Sequence, residues 1–329
     1  MKLALDVMGG DKGPPVLVRG ALRARRELER PPELVLYGDP DAIRSVLAAE
    51  GEPADSFEIV PTAENIAMHE PPAQAVRKKK DTPIVRAMGD VRAGAVAGVV
   101  SAGNTGAMVS AAMLHLGRLA GVQRPAIAAW FPGRGDGSIV LDVGANADNK
   151  PEHLYQFGVM GSLFAEAAMQ RERPRVGLLN IGEESGKGSE LYVRAHALMA
   201  EAPVDFIGNV EGRDIFRDKA DVVVCDGFTG NVVLKLAESM IGFMVSRFRE
   251  SVLASWRGKM GALLMRRDLL HIRKDLYYAE HGGAPLLGVK GCVIISHGAS
   301  NDLAIRNAIR MAARFHELHT IEKTESLLA

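Results

Sequence analysis

Cysteine is almost missing from this 329-residue chain, with Cys225 and Cys292 its only two. They stand far apart and lack Cys-x-x-Cys spacing, so neither a zinc site nor a redox pair is indicated. Each lies at or inside an apolar run, the setting of a buried strand thiol. Aromatic residues make up only 5%, and 40 Lys and Arg balance 40 Asp and Glu to a net charge of zero. A neutral molecule gives no overall electrostatic pull toward DNA or RNA, and any basic surface must be local. No run approaches the ~20 apolar residues that cross a bilayer. The N-terminus, MKLALDVMGGDKG, turns polar too soon for the apolar core of a signal peptide. The expectation is a soluble, intracellular protein, with contact to a membrane surface left open.

Familiar chemical signatures are absent as well. No Gly-x-Gly-x-x-Gly occurs, against an ordinary dinucleotide fingerprint. Residues 182–189 (GEESGKGS) resemble a nucleotide-phosphate loop. They are one residue short before Gly-Lys, and Gly188 follows Lys187 where Ser or Thr is required. ATP use is not supported. With no Gly-x-Ser-x-Gly and no His-Glu-x-x-His, nothing announces a covalent nucleophile or a catalytic zinc.

What is abundant is glycine, 35 residues, in a chain that is 47% hydrophobic and 24% charged. Short apolar runs recur, each followed by a Gly/Asp/Asn turn and a helical stretch: 2–7 (KLALDV), 33–37 (ELVLY), 95–100 (AVAGVV), 138–143 (SIVLDV), 175–180 (RVGLLN), 204–208 (VDFIG), 221–225 (DVVVC) and 291–296 (GCVIIS). This alternation predicts an α/β fold whose mostly parallel sheet is covered on both faces. Ligands of such sheets sit beyond the carboxyl ends of the strands, where these polar loops lie. No low-complexity linker divides the chain, so residues 1–329 are expected to form one domain, with a helical arm inside 231–285.

The arm begins with a helix predicted over 231–255. It is apolar nearly all round (Val232, Val233, Leu236, Met240, Phe243, Met244, Phe248) and is expected to be buried in a core or a subunit interface. Beyond it, Leu253, Trp256, Met260, Leu263 and Leu264 form one stripe, and Met265, Leu269, Ile272 and Leu276 a second, rotated one, as in a kinked pair of helices. Lys259, Arg266, Arg267, Arg273 and Lys274 flank them. Either this is a dimer contact with solvated charges, or it touches anionic lipid or an acidic partner.

The loops suit an anion. Residues 101–106 (SAGNTG) lie between a strand and a helix, where backbone N–H groups and the helix dipole meet a phosphate. The alternative is a plain N-cap turn. Residues 226–231 (DGFTGN) repeat that placement, with Lys235 one turn into the helix, and Lys187 stands between two glycines. Asp6, Asp11, Asp142, Asp148, Glu183, Glu184, Glu211 and Asp226 crowd the same loops. They either bind Mg²⁺, or orient the lysine and asparagine donors or accept a proton, and spacing does not decide. His297, in the turn after a strand, is a candidate acid, base or hydrogen-bond donor.

Taken in order, DVMGGDKGP, SAGNTGA, DVGANAD, LLNIGEESGKG, GNVEGRD, CDGFTGNVVLK, GGAPLLGVKG and SHGASN resemble the bacterial phosphate acyltransferase family of phospholipid synthesis, from Met1 to about Asn307. The resemblance implies that a long-chain acyl group passes from acyl-[acyl carrier protein] to inorganic phosphate, with no cofactor and no metal. It also implies a three-layer Rossmann-like sandwich similar to phosphotransacetylases and isocitrate-type dehydrogenases. With it come a homodimer, a cytoplasmic location with peripheral membrane contact, and a downstream glycerol-3-phosphate acyltransferase, but no nucleic-acid partner. The expected catalytic residues are Lys187, Asp226, Asn231 and His297. Substrate and phosphate contacts are expected from Asp6, Gly9, Gly10, Asp11, Ser101, Gly103, Asn104, Thr105, Gly106, Asn146, Gly186, Gly188, Asn209, Glu211, Thr229 and Gly230. Met260, Leu263, Leu264, Arg266, Arg267, Leu269, Ile272, Arg273 and Lys274 are expected to meet the carrier protein or the membrane. The rivals are a short-chain phosphotransacetylase acting on acyl-CoA, an isocitrate-type dehydrogenase, and a non-enzymatic membrane-associated scaffold.

Overall fold

A computed structural model describes residues 1–269, 282–317 and 319–328. The expected Ile272, Arg273, Lys274 and Leu276 lie outside the described residues. Every apolar run of the sequence becomes a strand, and three further strands join them in one sheet of eleven, ordered β3-β2-β1-β4-β11-β10-β5-β6-β9-β7-β8. Its first half comprises β1 (Lys2–Asp6), β2 (Glu33–Gly38), β3 (Glu58–Pro61), β4 (Gly98–Ser101) and β11 (Cys292–Ile295), all parallel. The second comprises β6 (Ser138–Leu141), β7 (Arg175–Leu179), β8 (Asp205–Val210) and β9 (Val222–Val224), again parallel. Between them, β10 (Ala284–Leu287) is antiparallel to β11 and to β5 (Ala126–Phe131), and β5 is antiparallel to β6. The two parallel halves therefore run in opposite directions. Their carboxyl-terminal loops therefore lie at opposite ends of the strands, not along one side as a wholly parallel sheet would place them.

Both faces are covered. On one, α1 (Pro14–Glu27), α2 (Pro40–Ala49), α6 (Pro151–Met169), α7 (Glu190–Ala200) and α10 (Asp302–Glu317) bury Leu22, Leu47, Phe157, Met199 and Ile309 against the strands, with α11 (Thr320–Leu328) laid on α6. On the other face lie α3 (Pro72–Lys78), α4 (Pro83–Arg92) and α5 (Thr105–Ala111), which continues as a π-helical stretch, Ala112–Leu116. Neighbouring residues on opposite faces, such as Val99 and Val100 or Val222 and Val223, are all fully buried, which explains why the central strands read as unbroken apolar runs. Cys225 and Cys292 are buried as expected, and burial pushes the Cys292 thiol up to about 12.

Of the two settings expected for the arm's first helix, the core of its own chain is not the one found. Helix α8 (Gly227–Leu253) is one rod of 27 residues, about 40 Å long at 1.5 Å per residue. Only its first turns pack: Gly227 and Gly230 are buried, and Val233, Leu234 and Ala237 rest on the sheet. Leu236, Met240, Phe243, Met244 and Phe248 are exposed, so this apolar surface is not covered by the described residues. By length and composition alone this helix qualifies to cross a membrane, which the count of apolar residues in the sequence had excluded. Lys235, Glu238, Arg247 and Glu250 sit along it. A break occurs, but earlier than the two stripes suggest: α8 ends at Leu253, Ser255 accepts from Gly258 N at 3.0 Å, and α9 (Trp256–Leu264) begins inside the first stripe. Met260, Leu263 and Leu264 on α9 are exposed, as are Arg266 and Arg267 after it, while Leu269 is half-buried.

Candidate active site

Where the sheet reverses, a cleft of about 330 Å³ opens on the face that carries α5 and α8. Ile127 and Ala129 of β5 form its floor, with Val143, Leu234, Ala284 and Ile295 as apolar walls. Thr105, Gly106, Ser296, His297 and Ser300 border it from the first half of the sheet, and Gly144, Asn231, Lys235 and Glu238 from the second. Two strand-end loop systems from opposite halves of the sheet thus meet across one face, bridged by β5 and β10.

Each rim is built by buried polar ties. Asp6 accepts from Met8 N at 3.0 Å, Gly9 N at 3.1 Å and Ser101 Oγ at 2.7 Å, and Ser101 Oγ in turn accepts from Gly103 N at 3.0 Å. Burial raises the Asp6 pKa against those bonds. A Cβ on Gly9 would stand 2.7 Å from Gly103 N, so these glycines serve the approach of loop to loop. Gly10, at φ 78°, takes a left-handed conformation against Gly298 O, where Asp11 N donates at 2.8 Å. Asn104 caps α5 through Ala107 N at 3.0 Å, and its amide donates to the carbonyls of Ala67, Met68 and Glu70. Asp6, Gly9, Gly10, Asp11, Ser101, Gly103 and Asn104, expected to touch substrate, instead shape the rim. Only Thr105 and Gly106 of that loop reach the cleft.

The opposite rim follows the same logic. Buried Asp142 accepts from the backbone of Ile127, Gly144, Ala145 and Asn146, and from Asn146 Nδ2 at 2.9 Å, fixing the loop after β6. Asn146 Nδ2 also holds Pro125 O at 2.6 Å. Asp226 caps α8, accepting from Thr229 N at 2.9 Å, Thr229 Oγ1 at 2.6 Å and Tyr192 Oη at 2.5 Å. Burial alone would raise its pKa, yet these bonds outweigh it and hold the carboxyl below its usual value. Asp226, expected to be catalytic, is an ionised cap of α8 outside the cleft lining, and Asn146 and Thr229 are supports. Gly230 is glycine because a Cβ there would collide with Asp142 O.

Lys187 does not line the cleft. It is exposed, and its loop is folded on itself: Asn180 Nδ2 donates to Lys187 O at 2.9 Å, and Gly188, at φ 92°, packs on the Asn180 side chain. Gly186 has nothing within 4 Å of a built Cβ. Asn209 donates to Glu184 O at 2.7 Å, and Glu211 pairs with Arg213. Among the described residues, Glu183, Glu211 and Asp214 bring carboxylate oxygens within 4.8 Å of one another. Lys219 sits 2.7 Å from Glu183 and 3.5 Å from Asp214, already supplying a cation there.

Of the expected catalytic residues, Asn231 and His297 share the cleft, together with Lys235, whose role the sequence left unassigned. Lys235 Nζ lies 3.4 Å from His297 Nε2 and 3.1 Å from Glu238 Oε2. Ala299 N donates to His297 Nδ1 at 3.0 Å. That leaves the neutral ring's proton on Nε2, which then points a donor into the cleft beside an ammonium. Glu238 was missed, although residues 231, 235 and 238 fall four and three apart on one helical face, a spacing visible in the sequence.

Comparisons with known proteins agree with this architecture. Residues 1–323 match the model of a family described as "Fatty acid synthesis protein". A phosphate acyltransferase from Heliobacterium modesticaldum is 50% identical over 95% of this chain and 93% of its own. One from Desulfitobacterium hafniense is 47% identical over 100% of this chain and 98% of its own. The chain belongs to the phosphate acyltransferase family. Its members are transferase enzymes. Among solved structures, the EutD phosphotransacetylase from Staphylococcus aureus superposes with a TM-score of 0.62 at 16% identity, covering 96% of this chain and 94% of that one. A 4-hydroxythreonine-4-phosphate dehydrogenase from Klebsiella pneumoniae gives 0.56 at 15%, covering 96% and 99%. At such identities these two show the shared α/β fold alone.

Proposed function

We propose that this phosphate acyltransferase moves a long-chain acyl group from acyl-[acyl carrier protein] to inorganic phosphate, yielding acyl phosphate for phospholipid synthesis. The supporting observation is one cleft that joins the Lys235–His297 donor pair to an apolar floor. A thioester is already activated, and phosphate is itself the nucleophile. The protein's task is to hold a dianion against a carbonyl and stabilise the oxyanion.

Lys235, His297 Nε2–H and the backbone at Thr105 and Gly106 hold phosphate. A phosphate oxygen attacks the thioester carbon, and Asn231 Nδ2 donates to the oxygen as it gains charge. The C–S bond then breaks, and the carrier leaves as a thiolate that takes up a proton from solvent. The acyl chain lies over Ile127, Ala129 and Val143.

The chain works in the cytoplasm as a homodimer, with the uncovered face of α8 as the contact between copies. The exposed apolar end of α9 rests on the membrane, where acyl phosphate passes to a glycerol-3-phosphate acyltransferase. The decisive assay is phosphate-dependent release of carrier-protein thiol from a long-chain donor. Release without phosphate, or only from short-chain acyl-CoA, refutes this reading, the latter in favour of a phosphotransacetylase.

A further inference from the structure

Ion pairs account for many cations of this molecule, including Arg19, Arg23, Arg25, Arg86, Arg175 and Lys219. One surface differs. Arg77 and Lys78 in the last turn of α3, Lys80 just after it and Arg92 at the end of α4 form no ion pair among the described residues. Lys79, in their midst, is turned inward to Glu70 at 2.8 Å. His115, on the π-helical stretch packed against α4, sits close to the other two. Its pKa is lowered first by burial and then by the charges of Lys80 and Arg92. Like charges gathered without neutralisation destabilise the compact state, so a face of this kind fits an anionic partner.

Its place in the fold says which partner. Helix α3 begins at Pro72, whose side chain abuts Gly106 on the cleft rim, and Asn104 ties the preceding loop to α5. Seven residues of helix put the basic end roughly 10 Å from that rim. The arm's basic residues Arg266 and Arg267 stand instead beside exposed Leu263 and Leu264, the mixture suited to lipid. The α3 face is polar; the exposed large apolar residues nearest to it in the chain are Met68, in the loop before it, and Leu114, beside His115. We propose that Arg77, Lys78, Lys80 and Arg92 form the docking surface for the acidic acyl carrier protein, holding it so that its acylated arm enters the cleft past Gly106. This rests on the acyl-carrier reading given above.

The test reverses Arg77, Lys78 and Lys80 to Glu, with a Gln set to separate charge from folding. The apparent KM for the acyl carrier protein should rise about tenfold or more in the Glu set, less in the Gln set, with kcat retained. Added salt should erase the difference from the unaltered protein. Turnover of the same acyl group on N-acetylcysteamine, an uncharged donor, should not change. Binding of the unacylated carrier, followed by direct titration, should weaken in parallel. Unchanged carrier affinity at low salt overturns the proposal even if the enzyme turns over normally. A parallel loss with the uncharged donor overturns it too, because the defect then lies in the cleft. Failure of the unaltered protein to use any acyl-carrier donor removes the underlying reading instead, and the titration still judges the surface.

Discussion

Lys235 Nζ stands 3.4 Å from His297 Nε2 and ties the second turn of α8 to the loop after β11, from opposite halves of the sheet. Two proton-bearing nitrogens do not satisfy each other. Among the described residues, Glu238 offers both of them an acceptor, 3.1 Å from the lysine and 4.0 Å from the histidine. An incoming phosphate supplies the same need with more charge and three free oxygens.

Lys235→Ala should therefore weaken the transition state by ~2.7–4 kcal/mol, a fall of about 10²- to 10³-fold in kcat/KM. Phosphate KM should carry part of the loss, because the ammonium binds ground-state phosphate as well. Steady-state kinetics at varied phosphate measures both. A loss below about threefold, little more than one surface ion pair, refutes the placement of phosphate at this pair.

Asn231→Ala should behave differently. An amide that meets the oxygen only as it gains charge contributes to kcat and leaves phosphate KM nearly unchanged. The expected decrease in kcat is again roughly 10²-fold for a single oxyanion donor. If phosphate KM rises while kcat holds, Asn231 binds phosphate and the oxyanion donor lies elsewhere.

Asp226 offers a pH test. Its folded pKa lies below the ordinary 3.8, so the stability it contributes is full above that value and lost as pH falls through the lower, folded value. Asp226→Asn should cost about 1 kcal/mol at neutral pH, because an amide nitrogen in place of Oδ2 cannot accept from Tyr192 Oη and Thr229 Oγ1 and the charge assistance is lost. The deficit should shrink in acid, as the unaltered protein loses its own advantage. Denaturant titrations of both proteins from neutrality into acid follow this, and a deficit that grows toward low pH contradicts an ionised cap.

How much of this was legible in the sequence depends on which strand is asked about. The eight apolar runs became strands because central parallel strands, buried on both faces, need unbroken Val, Leu and Ile. The missed strands were β3, β5 and β10. Strand β5 (AIAAWF) follows no turn-to-helix rhythm, and β10 (APLL) contains Pro285, which argues against a strand interior. Those two reverse the sheet, so missing them hid the fact that the loops lie at opposite ends of the strands. The polar residues were legible as loop formers but not by role. Asp6, Ser101, Asn104, Asn146 and Asp226 look like ligand donors in one dimension, and only their partners show them spent on caps and loop ties. Lys235 and Glu238 lay in a helix whose apolar pattern drew the reading toward packing.

Two glycines of α8 make opposite predictions. Gly230→Ala places a methyl on Asp142 O and within 2.9 Å of Cys225 Sγ, in backbone and core that cannot yield. It should destabilise by about 1–3 kcal/mol or more, as overpacking does. Gly242 has nothing within 4 Å of its built Cβ, so Gly242→Ala should stabilise by roughly 0.5–1 kcal/mol through helix propensity. Thermal melts of both variants decide it. Equal effects of the two substitutions contradict the close approach of α8 to the loop after β6.

The arm supplies the last test, because its apolar surface has no cover among the described residues. Leu263 and Leu264 are 65% and 82% exposed, and Trp256 is 72% exposed. Burying a leucine in the acyl boundary is worth about 1.5–3 kcal/mol, so a few such residues, with Arg266 and Arg267 facing anionic headgroups, suffice for reversible attachment. Leu263→Asp with Leu264→Asp should abolish sedimentation with anionic vesicles while leaving turnover of a soluble acyl donor unchanged. Charge reversal at Arg266 and Arg267 should weaken attachment in a way that added salt mimics. Should the leucine variants still bind vesicles but elute as a smaller species in gel filtration, α9 is a contact between copies of the chain. The membrane surface would then have to be sought along α8, whose exposed Phe243, Met244 and Phe248 are the next apolar group.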